Sequence, residues 1–161
     1  MRLTKQTKEG LKYELNFSEG DCLRALLRRF PITVQVHAEI SKTDADPKSI
    51  EREKLLNESL ADHRKELVKQ ALGLLASGRF RREEKGCLLT LGLEEREILL
   101  QILNDIRVGC WCALGEPEKL EPKTPPSTDR ELVYYNLMNL AGYFEASLLN
   151  EEPDGLRPGQ K

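Results

Sequence analysis

Along "LTKQTKEGLKYELNF", residues 3 to 17, Leu11, Tyr13, Leu15 and Phe17 alternate with Lys12, Glu14 and Asn16. A two-residue period is that of a half-buried strand, and Lys8-Glu9-Gly10 before it is a plausible tight turn, so the stretch predicts a β-hairpin. The period then lengthens. Ser18, with Asp21 three residues on, predicts a helix start, and Cys22, Leu23, Leu26, Leu27 and Phe30 recur at helical spacing until Pro31 breaks the run. "ITVQVHAEISK" (32 to 42) is ambiguous: its β-branched residues suit a strand, while Ile32, Val36 and Ile40 at steps of four favour a helix starting at Pro31.

From Ser49 to about Ser77, Leu56, Leu60, His63, Leu67, Ala71 and Leu74 recur at steps of three and four. This predicts a long amphipathic helix that Gly78 is placed to end. "GCLLTL" (86 to 91) reads as a short apolar strand, and a second strong helix runs from Gly92 to Gly115. After the proline-bearing connector "EPEKLEPKTPPS", Thr128 and Glu131 have capping-box spacing. They open a last helix to about Asn150, with Val133, Leu137, Leu140, Ala141, Phe144 and Leu148 as its apolar stripe. The fold class that follows is α+β and mainly α. A small antiparallel sheet, from the N-terminal hairpin and the strand near 87–91, is packed by three long helices and one or two shorter ones. Residues 1–150 form one domain, and 151–161 read as a disordered tail.

"GLKYELNFSEGDCLRALL" and "GCLLTLGLEEREILLQIL" align without a gap at an offset of 76 residues: Gly10 meets Gly86, Leu15 meets Leu91, and Leu23, Leu26 and Leu27 meet Leu99, Ile102 and Leu103. Any strand followed by a helix shares part of this pattern. If the match is structural, the two strands sit side by side in one sheet with helices over one face.

Composition narrows the function classes. The chain has 161 residues and no apolar run near the roughly 20 needed to span a bilayer. "MRLTKQTKEG" lacks the apolar core of a signal peptide, so a cytoplasmic location is expected, with Cys22, Cys87, Cys110 and Cys112 as free thiols. The net charge of −2 disfavours nucleic acid as a partner, because phosphate neutralisation supplies most of such affinity. The densest basic cluster, "RFRREEK" (79 to 85), is diluted by Glu83 and Glu84. A DNA-binding regulator is therefore the third choice.

Candidate chemistry is sparse. Trp111 stands between Cys110 and Cys112. On a helix those two cysteines point about 200° apart and cannot chelate one ion, and zinc sites use wider spacing. Cys110 instead falls on the stripe of Leu99, Ile102, Leu103, Ile106 and Ala113. No metal and no cofactor is implied. His63 lies on the apolar stripe, where a core-edge role is expected. A His37–His63 pair with a carboxylate such as Asp62 is the alternative, a small-molecule or metal-dependent enzyme. No phosphate-cradling glycine loop or nucleophile elbow is present in the sequence. More distinctive is the far side of the 92–115 helix. Val108 and Cys112 stand where charged residues are usual, and Trp111 shares a flank with Leu100, Asn104 and Arg107. Either another segment covers that side or it meets a partner. Leu100, Asn104, Arg107 and Trp111 are thus the partner-binding candidates, with a protein partner or self-association both open, and the proline-bearing connector as a second surface.

At "LGLEEREILLQILNDIRVGCWCALG" the chain resembles a bacterial family known only as a domain of unknown function. The resemblance extends to "MRLTKQ", "LLNESLADHRKELVKQ", "GRFR" and "NLAGYFEASLL". In actinobacteria such proteins look to be encoded beside the adaptor of the Clp protease. The resemblance implies a link to regulated proteolysis and supplies no catalytic residues. In similar members the position of Cys112 looks more often aliphatic.

Overall fold

The structure, a computed structural model, describes residues 1–8, 10–32, 47–115 and 128–150, with helix backbone only at 47–50, 53, 56, 57 and 150. In chain order the elements are β1 (Arg2–Thr7), β2 (Gly10–Leu15), α1 (Phe17–Arg29), α2 (Pro47–Ala76), β3 (Phe80–Glu83), β4 (Gly86–Leu91), α3 (Leu93–Ala113) and α4 (Asp129–Asn150). The helix expected from Pro31, the connector 116–127 and the tail 151–161 lie outside the described residues, apart from Pro31 and Ile32. The chain is α+β and mainly α, with a small antiparallel sheet, three long helices and one short one.

The sheet order is β1-β2-β4-β3, with every pairing antiparallel. Its two centre strands are the two predicted apolar ones. Leu11, Tyr13 and Leu15 face Leu91, Leu89 and Cys87, and all six are buried. Because side chains alternate across a sheet, this register puts one face of both strands into a single core. The core continues through Leu23, Leu26, Leu27, Leu99, Ile102, Leu103, Ile106, Ala141, Phe144 and Leu148.

The 76-residue offset is visible in the geometry. Tyr13 is paired with Leu89, its own counterpart 76 positions later, so the two centre strands cross about that pair. Gly10 and Gly86 occupy equivalent places. A Cβ on Gly10 would lie 2.3 Å from the Leu91 carbonyl oxygen, and one on Gly86 would lie 2.1 Å from that of Leu15. The helix starts correspond as well. In the first half, the Asn16 side chain accepts from the Glu19 N–H and the Glu19 carboxylate accepts from the Asn16 N–H, both at 2.8 Å. In the second half, Glu95 accepts from the Gly92 N–H at 2.7 Å. Each half is therefore hairpin, capped helix, then a long helix.

Several expectations need correction. The first cap is Asn16 with Glu19, not Ser18 with Asp21; glutamate is long enough to reach back to the cap N–H, and aspartate falls short. "RFRREEK", noted above only as a basic cluster, contains the edge strand β3. Its four residues carry three charges, which hides the alternation. Phe80, facing Leu89, supplies the inward contact, with the Arg24 guanidinium 5.2 Å over its ring. On α2 the apolar stripe is only partly used: Leu67, Ala71 and Leu74 are buried, but Leu60 is 39% exposed and His63 is exposed. At 30 residues α2 is about 45 Å long, against about 20 Å for the 13-residue α1, so its first half outruns the core. Val133 is likewise exposed, at 46%, and Met138 takes the buried place on α4 instead. Ala113, at the end of α3, is also exposed. The Thr128–Glu131 capping box is present, with Thr128 Oγ1 accepting from the Glu131 N–H at 3.2 Å.

Glu19 joins this frame to α4. Its carboxylate accepts hydrogen bonds from the Met1 ammonium and the Tyr143 hydroxyl. Partial burial works to raise its pKa, but the Met1 ammonium, Tyr143 and the Asn16 N–H together hold it below the ordinary value.

Two outcomes follow. Gly86→Ala forces a methyl onto backbone and is expected to cost about 1–3 kcal/mol in urea denaturation. Gly73→Ala, whose Cβ would meet nothing within 4 Å, should stabilise by roughly 0.5–1 kcal/mol; equal effects would contradict the seam geometry. Because the folded pKa of Glu19 is depressed, its contribution is present above the ordinary glutamate pKa and fades as pH falls through the folded one. Glu19→Gln should accordingly flatten the acid limb of the stability–pH curve, measured by denaturation from neutral to acid pH.

Candidate functional site

The stripe of Leu99, Ile102, Leu103, Ile106 and Cys110 fixes which side of α3 meets the core. The remaining positions therefore have set directions. Asp105 reaches α2, where Arg64 donates to its carboxylate at 3.3 Å. Arg107 reaches the other way and forms an ion pair with Glu145 of α4. α3 is thus flanked by α2 on one side and α4 on the other. The covering segment considered from sequence is α4, yet it leaves Val108 50% exposed.

Between α3 and α4 lies an open groove of about 350 Å³, lined by Asn104, Arg107, Val108 and Trp111 from α3 and by Met138, Asn139 and Gly142 from α4. Three of the four sequence candidates, Asn104, Arg107 and Trp111, are brought together there. Leu100 is not among the lining residues; it lies a full turn before Asn104 and is partly buried against the core. Trp111 also packs partly against the core, so its indole is held in place rather than swinging free.

The α4 wall was not legible as a site. Met138 and Asn139 have no local signature. Gly142 had one, since glycine inside a helix costs about 1 kcal/mol relative to alanine. Its place beside Arg107 is what the structure adds. A Cβ on Gly142 would lie 3.4 Å from Arg107 Nε and 3.8 Å from Arg107 Cδ. The guanidinium crosses beside this bare backbone to Glu145, and these are ordinary contact distances. The groove thus offers an indole, a thioether and a valine as apolar surface, with two carboxamides and an ion-paired guanidinium as polar groups. Such a surface can bind a chain segment, but it holds no nucleophile–base pair.

The Cys-Trp-Cys segment is helical throughout, because α3 continues to Ala113. Cys110 is fully buried and Cys112 is partly exposed. Burial pushes the Cys110 thiol up to about 11. His63 is exposed rather than at a core edge, and His37 lies outside the described residues. Among the described residues, no three His, Cys, Asp or Glu side chains gather in a way that could hold a metal ion. No helix among them is long and apolar enough to cross a membrane.

A larger cavity of about 820 Å³ opens at one end of the sheet, beside Arg2, Glu14, Glu19, Glu83, Lys85 and Cys87. Three of its four carboxylates are engaged within the fold: Glu14 with Arg2, Glu83 with Arg81, and Glu19 in its cap; the fourth is that of Glu84. Comparison with protein-family models, with curated proteins and with solved structures finds no match to this chain.

The thiols give a direct check. At neutral pH in the folded protein, iodoacetamide should label Cys112 and leave Cys110 unmodified, and urea should expose both to labelling. Peptide mapping by mass spectrometry reads the result. Equal native labelling would mean that α3 does not present its stripe to the core.

Proposed function

We propose that the chain is a non-enzymatic protein-interaction or regulatory module of the bacterial cytoplasm, and that it engages a segment of a partner protein in the α3–α4 groove. The observation that carries this reading is Gly142. A mid-helix glycine gives up helix stability, and here an alanine methyl would meet only the flexible Arg107 side chain at ordinary contact distance. Packing therefore does not require glycine, whereas an open groove floor does. Tryptophan, methionine and arginine, which the groove brings together, are residue types enriched at protein interfaces, and tryptophan and arginine recur among the few side chains that dominate binding. The link to regulated proteolysis rests on the family resemblance and names the kind of process such a partner would serve.

Gly142→Ala separates binding from folding. It should raise the melting temperature, by helix propensity, while weakening partner capture by narrowing the groove. Trp111→Ala and Arg107→Glu should each weaken capture about tenfold or more, equivalent to about 1.4 kcal/mol. The measurement is affinity capture of the same partner by each variant, alongside thermal melts. Full capture by all three folded variants would remove the groove from the account.

A further inference from the structure

We infer that the free edge of β3 is a second docking surface, separate from the α3–α4 groove, and that its occupant is an extended segment of a partner protein with a carboxylate opposite Arg82. The hydrogen-bond parity of the β3–β4 hairpin is the starting point. Glu83 faces Gly86 across the Glu84-Lys85 turn, and Phe80 faces Leu89. Just before β3, the Arg79 carbonyl accepts from the Thr90 N–H at 3.0 Å. Hydrogen-bonded and non-hydrogen-bonded positions alternate along an antiparallel pair. Arg79, Arg81 and Glu83 therefore turn their main-chain groups toward β4, while those of Phe80 and Arg82 point away from the sheet. β3 is an edge strand, and among the described residues nothing pairs with those outward groups.

The two edges of the sheet differ. β1 slips register between Leu3 and Lys5, and within the slip the Thr4 hydroxyl donates to the Lys12 carbonyl at 3.1 Å; a bulge of this kind guards an edge against further pairing. β3 keeps an unbroken register over its four residues and holds no proline. Its protection is charge, and charge also selects a partner. Arg81 is held by Glu83, and Arg79 by Glu95 at 2.8 Å. Arg82 is different. It is exposed, shares the α1 side of the sheet with Cys87, and has no carboxylate partner among the described residues. Its guanidinium lies 5.0 Å over the ring of Phe17, which is itself 41% exposed. The α1 side of this edge thus presents an aromatic ring with a cation set upon it.

A strand added here exchanges main-chain hydrogen bonds with Phe80 and Arg82, the mode in which backbone supplies affinity and alternate side chains supply specificity. It runs antiparallel, like every pair in the sheet and as the more stable ladder does. Directly opposite Arg82 a carboxylate is favourable and a lysine unfavourable. The next side chain on the same face meets Phe80, where an aliphatic residue suits the aromatic ring. A helical segment cannot use the edge, because its main-chain groups are already paired. A second copy of the chain fits poorly. Two-fold pairing of β3 with itself, centred on Phe80, Arg81 or Arg82, sets Arg81 against Arg79, Arg81 against itself or Arg82 against itself, like charges face to face in each case.

The test is fluorescence anisotropy of the full chain with a labelled peptide of two Val-Thr-Glu-Thr repeats, which puts valine and glutamate on one face when extended. The wild type should bind it, and bind a Val-Thr-Lys-Thr counterpart less well. With glutamate opposite Arg82, the valine and glutamate N–H groups face β3. Methylating those nitrogens should weaken binding about tenfold or more, whereas methylating the threonine nitrogens should leave it unchanged. Arg82→Gln, which keeps the main chain and removes the charge, should weaken binding about two- to fivefold. Amide exchange at Phe80 and Arg82 should slow when the peptide is added. The inference is overturned if the wild type does not bind, if the lysine peptide binds as well, if the two methylated peptides bind alike, or if Arg82→Gln binds as the wild type does. It is also overturned if native mass spectrometry shows a dimer that Arg82→Gln dissolves, since the occupant would then be a second copy.

Discussion

The pairing of β2 with β4 is the constraint on which the other elements depend. It brings together two stretches far apart in sequence and sets Tyr13 against Leu89. Each strand end then lies so close to the other strand that glycine is needed at positions 10 and 86. The hairpins β1-β2 and β3-β4 extend the sheet outward from this seam, and each centre strand runs at once into a helix capped through a glutamate. Six inward side chains from the two strands, with α1 and α3 directly behind them in sequence, commit most of the apolar surface to one core. Burial at roughly 25 cal/mol per Å² makes that shared face the main stabilising feature, with each cap adding about 1 kcal/mol.

The proposed working surface begins where the two halves stop matching. α1 ends at Arg29, whose counterpart 76 positions later is Asp105; Phe30 and Pro31 then turn the chain away. α3 continues to Ala113. Arg107, Val108 and Trp111 stand on those added turns, beyond the part of the helix that repeats. They lie beside a stretch of α4 in which Gly142 keeps the backbone bare. The common frame thus supplies rigidity, and the unmatched helix end supplies the groove.

Much of this was legible along the chain wherever periodicity and burial agree. The alternation of Leu11, Tyr13 and Leu15, the stripe of Leu99 to Cys110 and the glycine-anchored offset each have one physical cause, the need to bury a single face. The misreadings share a cause too. β3 pairs through backbone groups that its three charged residues do not announce, and its one inward aromatic is too little to show a period. Leu60 and Val133 keep their helical spacing but stay exposed among the described residues, so pattern overstates burial there. The α3 half of the groove was readable because Trp111, Asn104 and Arg107 share one flank. Its α4 half was not, since Met138 and Asn139 become partners of that flank only through tertiary packing.

The groove proposed to meet a partner protein lies between α3 and α4, and Lys69 on α2 stands outside it. The most direct measurement is photo-crosslinking in living cells from a benzoylphenylalanine placed at Asn139 on the groove wall, with the same probe at Lys69 on α2 as its counterpart. The expected result is one discrete adduct from position 139, lost when Trp111→Ala is added, and no matching adduct from position 69. An adduct from position 69 with none from position 139 would contradict it.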